Sequence, residues 1–502
     1  MSLSRSVGLL FLAGLFSKFL SVFYRVPLSY LLGAEGIGLY QMSYPAFVVM
    51  VIVATGGLPF AITKHIAQHL AVGDKEKAGR LFRVGQQLLW LRGILLGLFF
   101  YLFAPILALK VLGDPRSELP LKMLAPAIFF ICVEGSLRGY FQGLQQHSIL
   151  AKAQAFEQLC RVVIMLTLSF LLLPYGLEYA AAGAAAGAAG GSLCAIVFLQ
   201  GYKARRFNSK CFLRLQEWSE SARMLQCFGL PVMLGSFIMP VMQMIDAAIV
   251  PLRLQASGIP IHLATALFGQ HAGMALSLVA LPTVATRALT TALVPNLAAA
   301  SARKNQTLVT NRMMLAIRIT AAISLPATVG LYILAQPICQ VLFGTPEAAI
   351  PLQWLAFGTV GLCMMETNGS LLHALGKGQG AVVALFAGAV VNASVDYYAC
   401  ALPALNIRGA ALGTGLGFTV AAALSFLFLK RYLPKPFNYG ALLFPLLASL
   451  IMAPVVKWAF DFSFSRGWVP MVVLLWAVGV GAGFYGLMAL TTGLFGANIF
   501  QA

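Results

Sequence analysis

Long apolar stretches follow one another along the whole of this chain, and they decide which class of structure it can form. Each is long enough for an α-helix to cross the hydrocarbon core of a bilayer, which takes about 20 residues. Apolar residues are continuous within them and do not alternate with polar ones, as β-barrel strands require. The sequence therefore predicts an all-α polytopic membrane protein of about fourteen transmembrane helices. The fourteen stretches are 6–32, 36–63, 84–111, 120–143, 154–174, 179–202, 224–253, 264–300, 312–342, 349–375, 380–403, 409–429, 439–460 and 468–493.

Composition supports a membrane protein. Of 502 residues, 60% are hydrophobic and only 10% are charged, whereas soluble proteins average about 45–50% and about 25%. A net charge of +19 would suggest nucleic-acid binding in a soluble protein. The positions of the basic residues decide against that reading.

Basic residues concentrate on one predicted side of the membrane. With the N-terminus in the cytoplasm, 20 of the 34 Lys and Arg residues fall in inside loops and helix ends, 7 fall outside and 7 lie within spans. This asymmetry follows the positive-inside rule. It predicts a multi-pass protein of the bacterial cytoplasmic membrane with both termini cytoplasmic, and it removes the support for nucleic-acid binding. The first apolar run lacks a signal-peptidase site and is interpreted as a retained helix.

The two halves of the chain resemble each other. Val26-Pro27-Leu28 matches Val250-Pro251-Leu252, and YGLEYAAAGAAAG before one predicted helix resembles LNIRGAALGTG six helices later. Two pseudo-symmetric six-helix bundles are predicted, which is the organisation that alternating access requires. The predicted parts are an N-lobe at 1–203, a basic cytoplasmic linker at 204–223, a C-lobe at 224–432 and two additional helices at 433–502.

Charged residues inside the predicted spans are costly, at about 2.5–3.5 kcal/mol each near the bilayer centre. Glu134 and Arg138 are four residues apart, as are Glu157 and Arg161, and this spacing places each pair on one helix face. The spacing favours structural ion pairs over a role in a cavity, and leaves both possible.

Lys18 and Arg25 are seven residues apart on the first predicted helix, so they share a face about 10 Å apart along the axis. A cationic face inside a membrane indicates an anionic ligand, since Lys and Arg both bind phosphate oxygens. Arg287 is predicted as an opposing clamp from the other bundle. The alternative is that these cations pair with acids of the predicted C-lobe. A role in binding a coupling ion or in orienting an arginine is predicted for these acids, which are Asp246, Glu366 and Asp396.

Catalytic and metal sites find little support in the sequence. His65 and His69 share a helix face but have no third ligand nearby, so no metal site is predicted. The chain contains no Walker A motif, so it does not itself hydrolyse ATP. No cofactor is expected. The energy would come from a coupling ion (H⁺ or Na⁺) or from the membrane potential.

The tract SKFLSVFYRVPLSYLLGAEGIGLYQMSYP at 17–45, with GGLPFAITKHIA at 56–67 and IDAAIVPLRLQASG at 245–258, resembles the stage V sporulation protein B group. This group belongs to the multidrug/oligosaccharidyl-lipid/polysaccharide (MOP) exporter superfamily. The resemblance implies two six-helix lobes around a central cavity and export of a polyprenyl-diphosphate-linked saccharide of the lipid II type. It further implies basic cavity residues on the first helix, which Lys18 and Arg25 match, and a lipid-tail groove at 439–493.

Three functions are therefore compatible with the sequence. The first is a monomeric, non-enzymatic flippase whose partners are a lipid-linked oligosaccharide and membrane lipids. The second is a cation-coupled exporter of drugs or metabolites, with Asp246 and Glu366 carrying the coupling. The third is a membrane scaffold or a glycosyl polymerase, which the short loops and the charges within the spans disfavour.

Overall fold

The computed structural model describes residues 24–203, 215–303, 305–432 and 440–491, and the regular elements among them are all helical. The all-α class predicted from the sequence is confirmed. Short π-helical segments lie at Leu107–Leu112 and Gly269–Ala275, and 3₁₀ turns lie at Pro115–Ser117, Leu173–Tyr175 and Pro346–Ala348. The α-helices are α1 Arg25–Thr55, α2 Leu58–Ala71, α3 Lys75–Ile106, α4 Glu118–Gly143, α5 His147–Leu172, α6 Leu177–Lys203, α7 Leu215–Ser236, α8 Ile238–Ala256, α9 Ile261–Phe268, α10 Leu276–Val279, α11 Leu281–Ala302, α12 Gln306–Ile333, α13 Ala335–Phe343, α14 Ala349–Ala356, α15 Gly358–Ala374, α16 Gly378–Ala399, α17 Ile407–Lys430, α18 Gly440–Ser465 and α19 Pro470–Thr491.

Ten segments within these ranges are long and apolar enough to cross a membrane, and twelve if each of two sharply bent pairs counts as one span. One bent pair joins Pro346–Ala356 to Gly358–Ala374 at 53°. The protein is thus a multi-pass membrane protein. The figure of fourteen spans stays a prediction, because most of the first apolar stretch lies outside the described residues.

By its internal contacts the chain divides into two compact units, Met1–Pro251 and Leu252–Ala502. Helix α7 groups with the first unit because it packs against α2 and α3. A Cβ on Gly229 of α7 would lie only 2.5 Å from the carbonyl oxygen of Gly56, so the two backbones touch. By the predicted boundaries, α7 begins in the linker at 204–223 and continues into the C-lobe at 224–432. These boundaries stay predictions.

The predicted gap between the first two apolar stretches is a kink within one helix. Helix α1 continues from Arg25 to Thr55, and only Gly33 departs from helical geometry, with φ 61° and ψ −175°. That backbone region is essentially restricted to glycine. Pro27 lies in the first described turn of this helix, and the kink is at Gly33. Gly56 and Gly57, both with positive φ, then separate α1 from α2.

Helices α5 and α6 pack closely in the first unit because α6 presents small residues. A Cβ on Gly187 would lie 2.9 Å from the carbonyl oxygen of Arg161, and one on Gly191 would lie 3.1 Å from that of Glu157. This contact holds the part of α5 that carries Glu157 and Arg161. Helices α16 and α17 form a similar pair in the second unit, where Gly413 of α17 lies against Asp396.

Candidate functional site: a charged cavity in the first unit

A cavity of about 490 Å³ lies within the first unit, between the turn that joins α1 to α2 and the helices α4 and α5. Its volume falls within the range of about 300–1,000 Å³ that is usual for ligand sites. The lining residues are Thr55, Gly57, Pro59, Phe60, Ile131, Glu134, Gly135, Arg138, Gly139, Gln142, Gln154, Glu157, Gln158 and Arg161.

Four charged side chains form a continuous network along one wall of this cavity. Arg138 Nε donates to Glu134 Oε1 at 2.5 Å, within α4. Arg138 Nη2 donates to Glu157 Oε2 on α5 at 2.5 Å, and Arg161 Nη2 donates to the other oxygen of Glu157 at 3.0 Å. Two carboxylates and two guanidinium groups balance in charge, so the network is neutral as a whole.

The i,i+4 spacing left open whether these residues are structural ion pairs or cavity residues, and the network shows that they are both. The exposed fractions of the glutamate side chains are 5% for Glu134 and 13% for Glu157, so neither carboxylate would be tolerated there without a partner. Both predicted pairs form, and both also line the cavity. The bridge from Arg138 to Glu157 is additional, and it joins α4 to α5. Functional roles for the four residues stay predictions.

Hydrogen-bonding capacity remains in the network. A guanidinium has five N–H groups, and Arg138 uses two of them on the carboxylates. The Arg138 side chain is 30% exposed and the Arg161 side chain is 19% exposed. A polar ligand that accepts hydrogen bonds would therefore find donors here.

Phe60 and the glutamines are cavity residues that sequence reasoning missed. Phe60 projects from the first turn of α2 with 57% of its surface exposed. Gln142 follows one turn after Arg138 on α4, and Gln154 precedes Glu157 on α5. In the sequence, phenylalanine and glutamine carry no charge or spacing signal that separates a cavity residue from an ordinary helix residue. The sequence did contain one relevant signal. Gly56-Gly57-Leu58-Pro59 predicts a helix break, after which α2 runs in a new direction.

The second unit contains another ion pair among the predicted site residues. Arg287 of α11 donates through Nε to Glu366 Oε2 of α15 at 2.6 Å, and through Nη2 to the other carboxylate oxygen. The Arg287 side chain remains 48% exposed, against 15% for Glu366. One of the partners that the sequence offered for Arg287 is thus the observed one.

The remaining predicted site residues are dispersed. Arg25 is partly buried at the start of α1, Asp246 is partly buried on α8, and Asp396 is fully buried on α16. Lys18 lies outside the described residues. Their proposed roles stay predictions.

A family model described as "Polysaccharide biosynthesis protein" matches residues 3–301. The chain belongs to this family. The resemblance drawn from its opening tract is confirmed, because the chain is similar to stage V sporulation protein B and to lipid II flippase MurJ.

Two curated relatives of this polysaccharide biosynthesis protein come from Bacillus subtilis (strain 168). Stage V sporulation protein B is 29% identical over 430 residues, covering 85% of this chain and 83% of that protein. Lipid II flippase MurJ is 24% identical over 522 residues, covering 96% and 94%.

Solved structures share the fold. The inward closed conformation of lipid II flippase MurJ matches with a TM-score of 0.72 at 16% identity, covering 98% of this chain and 99% of that one. An inward-facing multidrug resistance MATE family transporter of the MOP superfamily matches with a TM-score of 0.66 at 18% identity, covering 83% and 94%. The chain therefore has the fold of these membrane transporters.

Proposed function

We propose that this protein flips a polyprenyl-diphosphate-linked saccharide, a peptidoglycan precursor of the lipid II type, across the bacterial cytoplasmic membrane by alternating access. The observation that carries the proposal is the ion-paired polar cavity of about 490 Å³ among membrane-spanning helices. Charged groups are retained inside a membrane mainly where a polar substrate or ion passes. A relative named as a lipid II flippase adds support for the cargo.

The diphosphate-binding residues proposed from the sequence are Lys18, Arg25 and Arg287. Glu366 engages the Nε and Nη2 edge of the Arg287 guanidinium, so the edge that carries Nη1 can still donate to phosphate oxygens. The carboxylate thus holds the guanidinium plane in one orientation, and the 48% exposure of the side chain leaves it accessible. An arginine fixed in this way binds a diphosphate with less loss of conformational entropy.

A cation-coupled exporter of drugs or metabolites is the alternative, and the ion pair weakens it. Glu366 is neutralised by Arg287, so it offers a cationic substrate little net negative charge. Asp246 and Asp396 are proposed to serve the coupling ion (H⁺ or Na⁺) instead, with the membrane potential as a further source of energy. Such coupling is compatible with an anionic cargo.

We further propose a topology, an oligomeric state, a set of partners and a non-covalent mechanism. Both termini lie in the cytoplasm, the working unit is a monomer, and the partners are the lipid-linked oligosaccharide and membrane lipids, with no nucleic acid. Flipping breaks no covalent bond, so no catalytic residue is needed. A glycosyl polymerase would instead release polymerised glycan when the purified protein is incubated with lipid II.

The test is transport of fluorescent lipid II in proteoliposomes containing the purified protein, with and without a membrane potential. The wild-type protein is expected to translocate lipid II. Arg287→Ala, Lys18→Ala and Arg25→Ala are each expected to abolish transport, and Arg287→Lys to retain part of it. Arg303→Ala is the matched control, because Arg303 is an exposed arginine at the end of α11. Inactive wild-type protein would overturn the function, and fully active Arg287→Ala would overturn the diphosphate site.

A further inference from the structure

We propose that the cavity of the first unit binds the uncharged, N-acetylated saccharide part of the cargo, and that it does not bind the diphosphate. The assignment to a cargo rests on the proposed function, whereas the binding preference rests on the cavity itself. The cavity is lined by a neutral charge network, side-chain amides and an exposed aromatic ring.

The charge balance argues against an anion in this cavity. Glu157 accepts from both Arg138 and Arg161, and Glu134 accepts from Arg138, so the guanidinium charges are already compensated. A diphosphate placed here would lie beside two carboxylates, and like charges in a partly buried site repel more strongly than in bulk water. An uncharged polar ligand avoids that repulsion and can still accept from the remaining N–H groups.

Amide side chains indicate which uncharged polar ligand suits the cavity. Gln142 and Gln154 both line it. A side-chain amide presents a donor and an acceptor, and an acetamido group on a sugar presents the complementary acceptor and donor. Carboxylate oxygens of the network would in turn accept from sugar hydroxyls. The polar wall is therefore complementary to an N-acetylated saccharide.

An aromatic ring forms part of the apolar lining. Phe60 is 57% exposed, and Pro59 and Ile131 also line the cavity. A phenylalanine ring offers a flat apolar surface, which suits the face of a sugar ring that carries only C–H groups. Sites for small ligands commonly combine such apolar surface with a few placed polar groups.

The test measures binding of two soluble probes to the full-length purified protein in detergent by isothermal titration calorimetry. N,N′-diacetylchitobiose represents a neutral N-acetylated saccharide, and inorganic pyrophosphate represents the diphosphate. We expect the disaccharide to bind, and an equal concentration of pyrophosphate to leave its affinity unchanged. Phe60→Ala and Gln154→Ala should each weaken disaccharide binding about tenfold, the loss expected from one good contact. Phe60→Trp should retain it.

Matched controls separate the cavity from general effects on the fold. Phe170 of α5 and Gln200 of α6 are exposed residues of the same unit, and neither lines the cavity. Phe170→Ala and Gln200→Ala should leave disaccharide binding unchanged. Absence of disaccharide binding, displacement by pyrophosphate, or equal losses in cavity and control variants would each overturn the inference.

Failure of this inference and failure of the proposed function are distinguishable. Proteoliposomes that do not flip lipid II, together with intact disaccharide binding, would contradict the flippase proposal and leave the saccharide site standing. Proteoliposomes that flip lipid II, together with absent disaccharide binding, would contradict the saccharide site alone.

Discussion

Arg138 on α4 donates to Glu157 on α5 across a distance of 2.5 Å. The same guanidinium holds Glu134 on its own helix through Nε. One side chain thus ties two helices together at the wall of the cavity. Since a buried charge without its partner is strongly destabilising, the balance of the network matters more than any single pair in it.

The charge balance predicts a compensation between two substitutions. Arg138→Gln leaves the network with one excess negative charge, and Glu157→Gln leaves it with one excess positive charge. Each single variant should lose about 3–5 kcal/mol of unfolding free energy, the usual cost of breaking a buried pair. The double variant restores neutrality through Glu134 and Arg161, and should recover most of the loss. Thermal unfolding in detergent measures this, and additive losses in the double variant would refute it.

The kink of α1 predicts the effect of adding a side chain at Gly33. No atom lies within 4 Å of a Cβ built there, so the cost is purely conformational. Gly33→Ala should lower the unfolding free energy by about 1–3 kcal/mol, because φ 61° with ψ −175° is accessible essentially to glycine alone. Gly201→Ala is the control, since that site is equally open and is helical. Equal unfolding midpoints for the two variants would contradict a strained kink.

The contact between Gly413 and Asp396 predicts a second glycine effect, in the other unit. A Cβ on Gly413 would overlap the Asp396 carboxylate oxygen, whereas the nearest atom to a Cβ on Gly415 is 3.7 Å away. Gly413→Ala should therefore displace Asp396 and lower stability by about 1–3 kcal/mol, as overpacking does, while Gly415→Ala has a smaller effect. If Asp396 serves the coupling ion, the dependence of lipid II transport on Na⁺ or H⁺ should change only in the Gly413 variant. Unaltered stability and ion dependence in Gly413→Ala would rule out this contact.

A capping aspartate at the start of α3 predicts a pH dependence. Asp74 accepts from the backbone N–H of Lys77 at 3.0 Å, and that hydrogen bond holds the pKa of Asp74 below its ordinary value of 3.8. Since the folded pKa is lowered, the cap is fully effective above 3.8 and is lost as the pH falls through the folded value. Hydrogen exchange at the first turn of α3 should be faster in Asp74→Ala than in the wild type at neutral pH. The difference should shrink in acid, and Asp74→Asn should keep the cap at both pH values. An unchanged difference in acid would exclude the carboxylate as its source.

Much of the fold and part of the site could be predicted from local sequence. The all-α membrane class follows from the length and continuity of the apolar runs, because a backbone in lipid must satisfy its own hydrogen bonds. The pairs Glu134–Arg138 and Glu157–Arg161 follow from a spacing of four, since residues so spaced are neighbours on any α-helix. Both inferences depend only on residues that are close together in the chain.

The tertiary structure decided which distant residues meet. Arg138 reaches Glu157, 19 residues away, and Arg287 reaches Glu366, 79 residues away. Phe60 joins the cavity because α2 turns at Gly57. Helical periodicity determines which face a residue occupies, but not which other helix that face meets. The partner is selected by packing, through contacts such as those of Gly187 and Gly191 with α5, and packing depends on the whole bundle.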